Sequence, residues 1–325
     1  MPTIKDVAEK AGVSVTTVSR VLNNRGYISD ATRKKVQQAM KQLNYQPNEL
    51  ARSLYRQKSN IIGVIVPTVS HPFFGELVSS IEYYACKGGY KLLLCNSHLE
   101  AEKEKDYIDM LRRNQVDGII MGSHTLNVDE YAFTNLPIVT FDRCISDSIP
   151  YIASDNYEGG RIATKLLVDQ GCKKIAHISG NLTLNLLANK RYEAFVEVAE
   201  ENNVGYINVQ TSINVFDDTK YEKIIFDLLK EHQDIDGIFA SSDVMAAYAI
   251  KVCRRFGKKV PEDIKIVGYD DINIASLAIP SITTINQPID EMSELAIELI
   301  IKQIDGKRVP TKNIFPVTLV RRETA

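Results

Sequence analysis

The stretch TIKDVAEKAGVSVTTVSRVL, residues 3–22, reads as two short amphipathic helices joined by a tight turn. Thr3 caps the first, with Asp6 three residues on as its capping-box partner, and Ile4, Val7, Ala8 and Ala11 share one apolar face. Gly12-Val13-Ser14 breaks that helix: the glycine supplies a flexible exit and Ser14 caps the second helix. That second helix buries Val18, Val21 and Leu22 and turns Thr16, Thr17, Ser19 and Arg20 outward. Small hydroxyls beside one guanidinium suit the DNA major groove, where base edges present donors, acceptors and methyl groups. Pattern alone equally permits a plain helical hairpin at a domain edge.

Charge separates the two readings. Residues 1–58 hold eleven Lys/Arg against four Asp/Glu, a net of +7, whereas residues 59–325 hold 28 against 37, a net of −9. The overall −2 hides this asymmetry. A basic module ahead of an acidic body is the footprint of a phosphate-binding head. A third helix is expected over 30–44, capped by Ser29 or Asp30, with Val36, Ala39, Met40 and Leu43 inward and Arg33, Lys34, Lys35 and Lys41 on the wet side. Pro47 is expected to end it, because proline disfavours helical geometry in the residue before it. Residues 48–55, NELARSLY, read as a helix too short to be stable alone in water. Leu54 on that polar segment requires a partner surface, either a second copy or the minor groove.

From Ile61 the texture changes to apolar strands separated by helix-length segments: IIGVIV (61–66), KLLLC (91–95), GIIM (118–121), PIVTF (137–141), KIAHIS (174–179), GIFAS (237–241) and IKIVG (264–268). Such runs indicate parallel sheets covered on both faces. Asp117-Gly118-Ile119-Ile120 is echoed by Asp236-Gly237-Ile238-Phe239, which suggests two similar open α/β lobes with a ligand between the carboxyl ends of their strands.

With 325 residues and 44% hydrophobic content, two or three domains are expected. No run of 18 apolar residues and no signal-peptide core is present, which predicts no membrane span. Cys86, Cys95, Cys144, Cys172 and Cys253 are scattered, which predicts reduced thiols in a cytoplasmic protein and no metal site. G-x-G-x-x-G, Walker A, G-x-S-x-G and H-E-x-x-H are all absent. His177, inside a strand, reads as a satisfied core histidine. Asp155, Asp243, Asp270 and Asp271 fall near strand ends, where carboxylates more often bind hydroxyls or cap helices than do acid–base work. No catalytic residue and no cofactor is predicted.

TIKDVAEKAGVSVTTVSRVLN, NYQPNELARSL, VDGII, SDNYEGG and VGYDDINIASLAIPSITTINQP together resemble the lactose-repressor/galactose-repressor (LacI/GalR) family of transcription factors, over essentially the whole chain. NNRGYIS, NQVDGIIMGSH and SDNYEGG look most like the sucrose-operon type of regulator. The resemblance implies a small all-α helix-turn-helix head (1–46), a hinge helix and linker (47–58), and an α/β body (59–325). That body would hold two parallel-sheet Rossmann-like lobes of periplasmic-binding-protein type. The N-lobe would span about 59–155 and 286–314, and the C-lobe about 156–285 and 315–325.

The resemblance further assigns Val15, Thr16 and Arg20 to base readout, although simple periodicity turns Val15 inward, three residues before Val18. It gives Thr3, Ser14, Thr17, Asn23 and Tyr45 to phosphates, Leu54 to the minor-groove centre of a two-fold operator, and Asn48 and Tyr55 to further hinge contacts. It places effector contacts at Phe73, Phe74, Asp155, Asn189 or Arg191, Phe216, Ser242, Asp270 and Gln287, a set suited to vicinal hydroxyls under an aromatic ring. Residues 181–189 (NLTLNLLAN) lack an Arg, which counts against a purine. The implied partners are double-stranded operator DNA, a sugar or sugar-phosphate effector and a second copy. The chain stops at Ala325 without a heptad segment, so a dimer and not a tetramer is expected. Three rival readings are a free sugar-binding protein of transport type, an enzyme on a similar scaffold, and a family member gated by a phosphorylated protein.

Overall fold

The computed structural model describes residues 2–46, 58–123, 125, 136–211 and 218–325, in two compact units, Met1–Ser59 and Asn60–Ala325. The expected helix at 48–55, with Asn48, Leu54 and Tyr55, lies outside the described residues, as does Phe216.

The first unit carries α1 (Ile4–Ala11), α2 (Val15–Asn23) and α3 (Asp30–Gln42). Thr3 and Asp6 form the expected capping box, and Gly12 leaves α1 at φ 66, a left-handed turn that a Cβ would strain. Ser14 and Ser29 cap α2 and α3 by accepting the Thr17 and Thr32 N–H groups. Val7, Ala8, Val18, Val21, Val36 and Ala39 close the core, with Leu22, Met40 and Leu43 half-buried around it. Two expectations are corrected. The third helix stops at Gln42, before Pro47 can act, because Asn44 turns left-handed (φ 48) and the Tyr45 N–H returns to the Met40 carbonyl. Val15 is 40% exposed: it opens α2, where no preceding turn lies over it, and the helix meets the core only from Val18 onward.

The second unit holds two six-stranded sheets. The first runs β11–β5–β4–β3–β1–β2, with β1 Ile61–Val66, β2 Lys91–Asn96, β3 Gly118–Met121, β4 Ile138–Phe141, β5 Tyr151–Ser154 and β11 Lys312–Phe315. The second runs β12–β10–β9–β8–β6–β7, with β6 Lys174–Ser179, β7 Gly205–Gln210, β8 Gly237–Ala240, β9 Lys265–Asp270, β10 Thr283–Asn286 and β12 Thr318–Val320. Position for position the order is the same. The internal echo therefore has a structural meaning: Asp117, before β3, accepts the Asn60 N–H ahead of β1, and Asp236, before β8, accepts the Lys173 N–H ahead of β6. Pairing is parallel except at β12, which runs antiparallel to β10.

Helices cover both faces. On the first sheet α4 (Pro72–Lys87) and α11 (Ile289–Ile304) pack Leu77, Ile81, Met292, Ala296 and Ile300 against Ile62 and Val64. On its other face α5 (Ala101–Arg113) packs Ile108 and Leu111 against Ile65, Ile119 and Met121. The second sheet is sandwiched by α6 (Asn156–Asp169) and α7 (Lys190–Glu201) on one side and α8 (Asp218–Glu231) and α9 (Asp243–Arg255) on the other. The short α10 (Asn273–Leu277) follows β9. Five strands escape the apolar-run reading. β10 is TTIN, whose two threonines are fully buried yet polar, β7 is a partly exposed edge, and β5, β11 and β12 are four residues or fewer. The chain passes between the sheets after β5, after β10 and between β11 and β12.

Candidate functional site

On the head, Val15 and Thr16 open α2 and Arg20 lies one turn beyond Thr16, all three exposed. The caps place them. Ser14 and Thr17 bond to one another at 2.9 Å, which spends part of their capacity on the turn itself. Asn23 turns back on its own helix, its Nδ2 donating to the Ser19 carbonyl at 2.9 Å. Tyr45 packs against the head core, half-buried.

In the body, residues at or just after the ends of β3, β4, β6, β8, β9 and β10 converge on one cavity of about 220 Å³ at the carboxyl ends of the strands. Arg191, from the start of α7, organises it. Its Nε donates to Asn156 Oδ1 at 2.7 Å, its Nη1 to the Ser241 carbonyl at 2.8 Å, and its guanidinium lies 3.5 Å from the Tyr269 ring centre. This close fit needs the Gly159-Gly160 pair on α6. A Cβ on Gly159 would lie 2.5 Å from the Tyr269 hydroxyl, and one on Gly160 would lie 2.5 Å from the Arg191 carbonyl.

Asp142 follows β4 in the first lobe and reaches across. One carboxylate oxygen accepts Asn156 Nδ2 at 2.7 Å, the other the Ala188 N–H at 3.0 Å. Burial pushes its pKa up, opposed by the Arg191 charge and these two bonds. Asp270, 4% exposed and at φ 111, closes the far wall and accepts Gln287 Nε2 at 2.7 Å. Desolvation holds it well above the usual carboxylate range despite Arg191, and the Asp243 charge adds to the rise. Phe73 and Phe74 supply an apolar flank, in edge contact at 5.2 Å.

The molecule has known relatives. A model of bacterial regulatory proteins of the lacI family matches residues 3–48, and one of a periplasmic binding protein-like domain matches residues 164–325. A ribose operon repressor of Halalkalibacterium halodurans is 45% identical over 325 residues, covering 100% of this chain and 97% of that protein. A sucrose operon repressor of Streptococcus mutans is 40% identical over 321 residues, 99% of this chain and 98% of that one. The chain belongs to the LacI family.

Solved structures of LacI-type regulators share the fold. A periplasmic binding protein/LacI transcriptional regulator from Alkaliphilus metalliredigens, complexed with D-xylulofuranose, is 38% identical over 82% of this chain and 99% of that one, with a TM-score of 0.77. The lac repressor dimer bound to operator and the anti-inducer ONPF is 29% identical over 99% of this chain and 98% of that one, with a TM-score of 0.88. Among the described residues no helix is long and apolar enough to cross a membrane.

Of the effector residues expected from the LacI resemblance, Phe73, Phe74, Asn189, Arg191, Ser242, Asp270 and Gln287 all line the cavity. Asp155 does not: its side chain caps α6 by accepting the Glu158 N–H, and the neighbouring Asn156, not itself a lining residue, links Arg191 to Asp142. The reason is chemical. The junction must accept from Arg191 and donate to Asp142, which an amide does and a carboxylate cannot. Asn189 lines the cavity with its amide N–H group already given to the Leu182 and Leu184 carbonyls. The sequence reading missed Asp142, Asn156 and Ser241, whose bonds to one another and to Arg191 span 14 to 50 residues of chain. Asp142 and Ser241 carry one visible signal, their place at the end of an apolar run, whereas Asn156 follows β5, which gives none.

Proposed function

We propose that this LacI-family chain is a sugar-responsive repressor that binds a pseudo-palindromic operator as a dimer and releases it when a sugar occupies the body cavity. The observation that carries this reading is one chain holding both parts: a basic helix-turn-helix face of Val15, Thr16 and Arg20, and a cavity where amide, carboxyl and guanidinium groups converge beside two phenylalanines. Arg20 reads bases, Val15 meets a thymine methyl, and Thr3, Ser14, Thr17, Asn23 and Tyr45 set register on phosphates. Asn48, Leu54 and Tyr55 complete the operator contacts at its centre. In the body, Phe73, Phe74, Arg191, Ser242, Asp270 and Gln287 contact the sugar, with Asn189 beside them, and the family resemblance adds Phe216. Relatives named for sucrose and for ribose operons support an operon of sugar uptake or breakdown, acting in the cytoplasm.

Asp142 bridges the lobes through Asn156 and Ala188, and Glu76 on α4 accepts the Asn273 N–H of α10. A ligand that favours one arrangement of these contacts shifts the balance of lobe geometries, by a coupling of about 1–3 kcal/mol in typical allosteric proteins. The test is gel shifts on DNA upstream of the chain's own and neighbouring genes, titrated with sucrose, fructose, ribose and their phosphates. Specific binding that a sugar abolishes supports the reading; binding indifferent to every sugar refutes it. Arg20→Ala in a randomised-operator selection relaxes base preference at one position; an unchanged consensus removes Arg20 from readout. Binding weakens steeply with salt, as the +7 head requires.

A further inference from the structure

In the cavity wall, where His177 and Ser241 both lie, a hydrogen-bond chain fixes the polarity of one hydroxyl. Asn208 Oδ1 lies 3.0 Å from His177 Nδ1, and His177 Nε2 lies 3.0 Å from Ser241 Oγ. A carbonyl oxygen only accepts, so Nδ1 carries the ring proton. Burial pushes the imidazole down to about 3, so the ring is neutral and Nε2 is bare. Ser241 must therefore donate its hydroxyl hydrogen inward, which leaves only lone pairs toward the cavity. Its backbone is pinned as well: the N–H donates to the Ile178 carbonyl at 2.9 Å, and its carbonyl accepts Arg191 Nη1. The neighbouring Ser242 has the opposite polarity, because its Oγ accepts the Met245 N–H as the α9 cap and keeps its hydrogen to give. Two adjacent wall hydroxyls, one accepting and one donating, match a vicinal diol.

The same wall offers an anion little to bind. Asp142 and Asp270 line the cavity as carboxyl groups, and Arg191, the one Lys or Arg among its described lining residues, spends two of its five N–H donors on Asn156 and Ser241 and lies over the Tyr269 face.

We propose that the cavity selects a free, uncharged polyhydroxy sugar, with one of its hydroxyls donating to Ser241, and rejects phosphorylated sugars. Ser241 is then a specificity-determining residue, and His177 and Asn208 are positioning residues that act through it. This rests on the sugar-responsive reading above and narrows it.

The experiment is isothermal titration of the full chain with D-ribose, D-fructose, D-xylulose, sucrose, D-ribose 5-phosphate and D-fructose 6-phosphate. At least one free sugar is expected to bind, with its phosphate about tenfold or more weaker. Ser241→Ala is expected to weaken the bound sugar about tenfold, and to leave unchanged the affinity of the monodeoxy analogue that lacks the partner hydroxyl. Long-range proton–nitrogen NMR is expected to show His177 with its proton on Nδ1 from about pH 8 to pH 5. A phosphorylated sugar binding as tightly as its free form, or a proton on Nε2, overturns the proposal and leaves sugar response standing. If none of the six compounds binds, the sugar-responsive reading falls, and the proposal with it.

Discussion

In the head, the polar side chains bond close to home: Thr3 to Asp6, Ser14 to Thr17, Asn23 to Ser19, Ser29 to Thr32. In the body cavity, most polar side chains bond far along the chain: Asp142 to Ala188, Arg191 to Ser241, His177 to Ser241, Gln287 to Asp270. The two regions therefore present their chemistry differently. The head keeps Val15, Thr16 and Arg20 outward on a scaffold whose core three short helices close. The cavity recognises with the bonding capacity left after its groups have held one another in place. A substitution in the head should act locally, and one in the cavity should spread.

The largest break in that contrast is Arg191→Ala. It strips partners from Asn156 and the Ser241 carbonyl and removes the cation between Asp142 and Asp270. Loss of one side of such a buried network costs about 3–5 kcal/mol. Urea unfolding should show it, with sugar response lost in the same protein; an unchanged midpoint would mean the cavity does not depend on its own network.

Asp243 gives a pH signature. Burial raises its carboxyl to about 7, against 3.8 for the ordinary group, although Thr284 and the Ile272 N–H favour the charged form. The folded protein therefore holds a proton that the unfolded chain has released. The stabilisation is complete below about pH 4 and is lost as pH rises through about 7. Asp243→Asn should flatten stability across that window, read from urea midpoints at several pH values; an unaltered slope would place the titration elsewhere.

Gly159→Ala is a smaller and sharper test. The new methyl meets Tyr269, an overpacking that costs about 1–3 kcal/mol and tilts the ring under Arg191. Weaker sugar binding with an intact head is the expected result by calorimetry and DNA titration. Ser14→Ala should have the least effect, about 1 kcal/mol for a lost cap, confined to faster amide exchange at Thr17 and its neighbours. Exchange that rises in the body as well would contradict the local character of the head.

The same contrast explains what could be read in advance. α1 and α2, their caps and the Gly12 turn were legible because each depends on residues three or four apart. Val15 was misplaced by periodicity, since a first-turn residue has no helix before it to bury it. The central strands showed as apolar runs because they are covered on both faces. β10 did not, since Thr283 and Thr284 serve as buried hydroxyls, bonding to the Ala325 carbonyl and to Asp243. The resemblance points to Asp155 as an effector contact, whereas that side chain caps α6 and Asn156 beside it links Arg191 to Asp142. That link depends on Asp142 and Arg191 arriving from 14 and 35 residues away.

The central claim is that head and cavity answer to one another, and thermodynamic reciprocity tests it most directly. The affinity for a bound sugar should be measured on the free protein and on its operator complex, beside the operator affinity with and without saturating sugar. The account predicts that the operator lowers sugar affinity by the same factor as sugar lowers operator affinity, about 5–150-fold for a coupling of usual size. A sugar that binds equally well in both states would show the cavity and the DNA-binding face to be independent, and would contradict the account.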